Sequence, residues 1–289
     1  MSVSRRQFVG MVGASALAPA ASWAQEDPVL DALHSTLRGG RTDFEAKMAF
    51  LVQRGNPDVV PALLTAMRFT DRRRDEIGEV METLTGEQLG TDWFDWMLWQ
   101  EQNPQIVPHP SLIPFKREVL LRIDDNFDLF LRPEYLQRER MKIRLEEITW
   151  GGVRKDGIPS LDNPTLISAS DADYLKEDDL VFGVSINGDV RAYPLRIMGW
   201  HEMFNEVIGG VPVALAYCTL CGSGILFETP VPGRRKPFVF GSSGFLYRSN
   251  KLMFDRETHS LWNQYTGKPV VGPLVDSGIE LKPRPVVIP

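Results

Sequence analysis

The hydrophobic period of this chain changes once, near Ile143, and that change limits the fold more than any single motif. Between about Asp27 and Asn103 apolar residues recur at helical spacing. Phe44, Met48, Leu51 and Val52 form one stripe, Val59, Val60, Leu63, Leu64 and Met67 the next, and Ile77, Val80, Met81 and Leu84 a third. A fourth helix begins with Trp93, Phe94, Met97 and Leu98. Gly55-Asn56-Pro57 and Thr85-Gly86 separate the stripes. Thr42 to Glu45 reads as a capping box, and Asp71 as the cap of the third helix. Gln102 to Pro114 is a Pro-rich connector, and residues 115–142 are a partly helical linker. From Ile143 on, short strands and turns replace the stripes. Leu180–Ile186, Asn187-Gly188 and Asp189–Tyr193 make the clearest hairpin, and Leu195 to Val207 reads as helix or paired turns up to Gly209-Gly210. Val211–Tyr217 is a strand, Cys218–Gly224 a turn and Ile225–Glu228 the returning strand. The expectation is an α+β chain: a helical domain at 25–114, a linker, and a mostly antiparallel β domain with short helices at 143–289.

The helix pairs, joined by tight turns, look like stacked repeats of the HEAT type. Leu84 to Gly90, followed by the Trp-rich helix, is similar to the end of bacterial HEAT arrays. Trp93, Trp96 and Trp99 fall along one helix face, which suits packing against the second domain better than ligand stacking. Arg72-Arg73-Arg74 is flanked by Asp71, Asp75 and Glu76, so a solvated helix face explains it.

Ser4-Arg5-Arg6-Gln7-Phe8 opens the chain ahead of a mild Gly/Ala-rich stretch, and Ser22-Trp23-Ala24 supplies a cleavage point. Residues 1–24 therefore read as a twin-arginine signal peptide, which implies the twin-arginine export machinery as a partner and a periplasmic or secreted location. Such export carries folded proteins, which favours a metal or cofactor site, and it places the cysteines in an oxidising compartment. Losing Arg5 and Arg6 with the leader takes the net charge from −6 to −8. Nucleic acid is thereby excluded as a partner, since binding it needs a basic footprint. No apolar run reaches the ~18–20 residues of a transmembrane segment, and two cysteines in 289 residues cannot build a disulfide scaffold.

Tyr217-Cys218-Thr219-Leu220-Cys221-Gly222-Ser223-Gly224 carries the chemistry. Two thiols at the tip of a strand–turn–strand point into one small volume, and a glycine behind them lets backbone N–H groups turn toward sulfur, as in a metal knuckle. One knuckle supplies two ligands only. His201 is the favoured third, and Met203, Met253 or His259 complete the set, which suits zinc or, with a thioether, copper. Glu202, beside His201, is the candidate acid/base. His34 and His109 lie outside this region. Two other readings stay open. One is a periplasmic thiol–disulfide oxidoreductase using Cys218 and Cys221, on a fold other than thioredoxin because a strand rather than a helix follows the pair. The other is a non-enzymatic binding module, with a structural disulfide and a protein partner on the helical domain. Haem attachment fails because Gly222 stands where histidine is needed. A nucleophilic Ser223 or Ser243 served by His201 has no spacing that fixes its geometry, and Asp156-Gly157-Ile158-Pro159 reads as an ordered turn, with supply of an acidic group to the site as the second reading.

Asp156-Gly157-Ile158-Pro159, Phe182-Gly183-Val184, Arg191-Ala192-Tyr193-Pro194, Trp200-His201-Glu202, the cysteine segment and Ser260-Leu261-Trp262 occur in that order. From about Ile143 to Leu274 the chain resembles domain-of-unknown-function family 3179, found in bacteria and archaea, whose members look exported. The resemblance brings no activity with it. It implies a further Trp-containing helix past the last strand, so the chain is expected to be truncated at Pro289.

Overall fold

A computed structural model of the chain describes residues 27–288, and the twin-arginine leader read at 1–24 lies outside them. Asp27 caps α1 (Pro28–Ser35), its Oδ1 accepting from the Val29 and Leu30 amides at 3.0 and 3.3 Å. α2 (Arg41–Arg54) closes on Gly55 in the left-handed region, φ 65°. α3 (Val60–Met67) is almost wholly buried, α4 (Arg74–Thr85) ends on Gly86, and α5 (Trp93–Gln102) is capped by Asp92. α6 (Leu112–Leu121) follows the Pro-rich connector.

Two start signals are not used. α2 begins at Arg41 behind Gly40, so Thr42 is already inside the helix, and Glu45 takes the Arg41 guanidinium at 2.7 Å instead of an amide. α4 begins at Arg74 with no side-chain cap, and Asp71 pairs with Arg74 at 3.0 Å. Trp96 is fully enclosed in the helical core, where its indole donates to the Gly90 carbonyl at 2.9 Å and Trp99 meets it edge-on.

The β region holds β1 (Ile148–Trp150), β2 (Leu161–Asp162), β3 (Val181–Ile186), β4 (Asp189–Pro194), β5 (Met203–Ile208) and β6 (Val211–Cys218). It continues with β7 (Ser223–Glu228), β8 (Phe240–Tyr247), β9 (Asn250–Asp255), β10 (Leu261–Asn263), β11 (Lys268–Val271) and β12 (Lys282–Arg284). One sheet runs β1-β8-β9-β10-β11, a second runs β12-β7-β6-β5-β2, and β3–β4 stand as a separate hairpin. All pairs are antiparallel except β2–β5. The stretch read as helix or turns up to Val207 divides at Glu202: α7 (Leu195–His201) stops there because Glu202 takes φ 54°, and β5 begins at the next residue.

The layers follow from which face of each strand is apolar. Helical-core residues such as Phe115, Phe127 and Phe130 share one apolar cluster with Phe245, Leu252 and Phe254 of the first sheet. The other face of that sheet meets the second in a sandwich of Met203, Ala216, Phe227, Phe240, Met253 and Trp262. The outer face of the second sheet carries α7 and the β3–β4 hairpin through Phe182, Tyr193, Met198 and Phe204.

Lys116 locks the helical layer to the chain just before β1. It is 3% exposed, and its Nζ donates to the Leu145 and Glu146 carbonyls at 2.8 and 3.3 Å. Burial pushes its ammonium down to about 7, against the pull of Glu146 and Glu147. An unfolded lysine keeps its proton to about 10.4, so between the two values the unfolded chain binds more protons and stability rises with pH. Lys116→Met removes this dependence. Its urea midpoint relative to the native chain should therefore be most favourable at pH 7 and decline toward pH 10; a pH-independent difference would refute the assignment.

Candidate functional site

The two cysteines close the β6–β7 hairpin. Cys218 is the last residue of β6, paired in register with Ser223, and Gly222 at φ 60° lets the turn come round. The Cys221 amide donates to the Cys218 carbonyl at 3.3 Å, which brings the two free sulfurs to 3.3 Å. A disulfide needs ~2.0 Å, so the sulfurs are in contact and not bonded. Cys218 is buried and Cys221 exposed.

The β8–β9 hairpin turns directly opposite. Arg248 and Ser249 have φ 46° and 65°, the geometry of a two-residue primed turn that follows strand twist. This turn aims the Ser249 carbonyl at Cys221, whose thiol donates to it at 2.9 Å. The polarity is the reverse of the expected knuckle, where N–H groups point at thiolates. A carbonyl acceptor favours a protonated sulfur, and the Cys221 thiol is pushed up to about 11 by desolvation, then by the hydrogen bond and charge of Cys218.

Behind Cys218 lies an ion pair that the sequence does not announce. Lys251 of β9, 4% exposed, donates from Nζ to Glu202 Oε2 and to the Glu202 carbonyl, both at 3.2 Å. The other Glu202 oxygen accepts from Thr219 Oγ1 at 2.6 Å, so one carboxylate ties the buried lysine to the cysteine turn. Glu202 reaches both because its left-handed backbone turns the chain out of α7 into β5. Cys218, Glu202, Thr219, Lys251 and Ser242 line a cavity of about 140 Å³. Burial holds the Lys251 ammonium below its ordinary range, while Glu202 and then Cys218 work to keep it charged.

The other proposed ligands lie elsewhere. The His201 ring Nδ1 sits 2.9 Å from the Pro159 carbonyl. Met203 and Met253 are in the dry sandwich core, at 0% and 1% exposure, because their strand positions face the opposing sheet. His259 occupies the β9–β10 turn at φ 58° and stacks on Phe254. Among the described residues no three His, Cys, Asp or Glu side chains converge as a metal ion requires. Asp156 is held by Arg256 at 3.0 Å and Lys155 at 3.0 Å. Ser243 donates to the Leu252 carbonyl within the β8 irregularity. Ser223 faces Asn250 and Gln264 rather than a histidine.

The site thus belongs to the β sandwich of an α+β protein, with a dithiol at one hairpin tip and a buried Lys–Glu pair behind it. Residues 155–288, which include all four of these side chains, match the family model described as protein of unknown function (DUF3179). No curated protein and no solved structure matches the chain. Among the described residues no helix is long and apolar enough to cross a membrane.

Proposed function

We propose that Cys218 and Cys221 form a redox pair that oxidises substrate thiols by thiol–disulfide exchange. The observation that carries this reading is the asymmetry of two sulfurs 3.3 Å apart: one exposed, the other buried in the cavity that Lys251 lines. In the oxidised pair a substrate thiolate attacks the exposed Cys221 sulfur. The Cys218–Cys221 bond breaks, and Cys218 leaves as a thiolate toward the Lys251 ammonium. A second substrate thiolate then attacks the substrate sulfur of the mixed disulfide and releases Cys221, which takes a proton and returns to the Ser249 carbonyl. Two substrate thiols become one disulfide while the cysteine pair gains two electrons. A disulfide of higher potential restores the pair by the same exchange in reverse. The twin-arginine leader supports an oxidising compartment outside the cytoplasm, where such chemistry is useful. The short stacked helices support a HEAT-like surface for presenting a protein partner.

The test uses the oxidised full chain and a reduced two-cysteine peptide. The native chain should convert the peptide to its disulfide, and Cys221→Ser should abolish the reaction. Cys218→Ser, given the peptide in its disulfide form instead, should accumulate a mixed disulfide through Cys221, because no second thiol of the chain can release it. Equal peptide oxidation by Cys221→Ser would refute the proposal. Near-stoichiometric copper or zinc in the exported protein, lost in Cys218→Ser, would replace it with the metal site read from sequence. A quantitative disulfide that resists dithiothreitol would leave the pair as a structural pin.

A further inference from the structure

A second cavity, of about 290 Å³, opens between the Pro-rich connector, the 136–147 stretch and the β8–β9 turn. Its volume lies at the lower edge of small-molecule sites. The floor is apolar, with Leu112, Leu136, Met141 and Leu145 all buried. Four cationic side chains line it, Arg138, Lys142, Arg144 and Arg248, against two carboxylates, Glu146 and Glu147.

The cations are not equally occupied. Arg144 donates to the Gln100 and Glu101 carbonyls and to Glu147, and Lys142 is paired with Asp276 at 2.8 Å. Among the described residues Arg138 has one ionic neighbour, Glu146 at 3.6 Å, and its side chain is 47% exposed. Arg248 uses one nitrogen on Glu147 at 3.0 Å and is 46% exposed. These two guanidiniums keep free donors on the open side of an apolar floor. Among the described residues Glu146 Oε1 and Glu147 Oε2 find no hydrogen-bond donor, but both atoms are enclosed, and the exposed charged groups of these pairs are the guanidiniums. The accessible charge is therefore positive, and planar guanidiniums match a carboxylate.

We propose that this cavity binds a small amphipathic carboxylic acid, its tail on the Leu112–Leu145 floor and its carboxylate at the Arg138 and Arg248 rim. Binding there reaches the cysteines through one peptide unit. Arg248 directly precedes Ser249, whose carbonyl accepts the Cys221 thiol. An occupant that draws on Arg248 changes how firmly that thiol is held. The binding claim itself stands apart from the exchange reaction.

The experiment titrates the full chain with octanoate by calorimetry at low salt, with octanol as the uncharged twin. Saturable one-to-one binding is expected, at least tenfold weaker for octanol and at least tenfold weaker in Arg138→Ala. Arg138 is exposed and held by one long ionic contact, so its truncation leaves the fold intact, and Arg248→Gln gives a second, size-preserving variant. Saturating octanoate should also change the Cys221 alkylation rate at least twofold in the native chain and not in Arg248→Gln. No saturable octanoate binding up to millimolar concentration overturns the proposal. So does equal affinity for octanol, or unchanged octanoate affinity in a normally melting Arg138→Ala chain. An unchanged Cys221 rate in the octanoate-bound native chain overturns the link to the cysteines.

Discussion

Lys251→Met is expected to lower the reduction potential of the Cys218/Cys221 pair by about 30 mV or more, roughly a tenfold shift in its equilibrium with glutathione. Lys251 is buried, its ammonium contacts Glu202 at 3.2 Å, and both line the same cavity as Cys218. A cation there favours negative charge on the Cys218 sulfur, which exists in the reduced form and not in the disulfide. Methionine keeps the length and apolar stem and removes the charge, so the reduced form loses that support. The same substitution strands Glu202, whose side chain is 12% exposed and would then face the sulfur without a counter-ion. Lys251→Met/Glu202→Gln separates the two causes. A potential that stays low in the double variant assigns the effect to the missing cation, and one that recovers assigns it to the stranded carboxylate. A potential unchanged by Lys251→Met would mean that the buried pair serves the fold alone.

That ion pair marks the boundary of what the sequence makes legible. The change from helical to strand texture is visible because the stripes around Phe44, Ile77 and Trp96 each need only neighbours within one helix. The cysteine tip is visible for the same reason: strand, turn and strand are contiguous, and Gly222 supplies the positive φ. The dithiol environment is not local. Lys251 meets Glu202 across 49 residues, and Cys221 meets Ser249 across 28, through a sandwich whose register no short window contains. The metal set read from sequence depends on the same non-local register, and among the described residues no three of its His and Cys members converge. Proximity of Trp200-His201-Glu202-Met203 in the chain suggested one cluster, but Glu202 at φ 54° sends its neighbours to different places. His201 stays at the end of α7 against Pro159, and Met203 enters the core. Lys251 leaves one trace, a charged residue inside the fully buried strand Asn250–Asp255. A lysine at such a position requires a partner, and that requirement alone would have flagged it.

Asp255→Ala should destabilise the chain by about 3–5 kcal/mol, because one carboxylate there satisfies four donors. Asp255 ends β9 with 0% exposure. One oxygen accepts from the Glu257 and Thr258 amides at 3.2 and 2.6 Å, which folds the turn leading to His259. The other accepts from Thr258 Oγ1 at 2.7 Å and the Trp262 indole at 3.0 Å. Trp262 is a fully buried side chain that Phe238 and Phe240 meet edge-on at 5.0 and 5.3 Å, so the carboxylate positions a central piece of the sandwich. Alanine leaves those donors unpaired and opens a small void beside the indole. Asparagine keeps the volume but turns an amide N–H₂ toward two donors, so about half the loss should remain. Chemical denaturation of the three chains at neutral pH measures this, and an alanine cost under about 1 kcal/mol would refute the account. Asp255 does not line the Cys218 cavity, so the reduction potential of the folded variant should equal that of the native chain. A shifted potential would instead show that β9 transmits strain from its Asp255 end to Lys251, making the dithiol a reporter of sandwich packing.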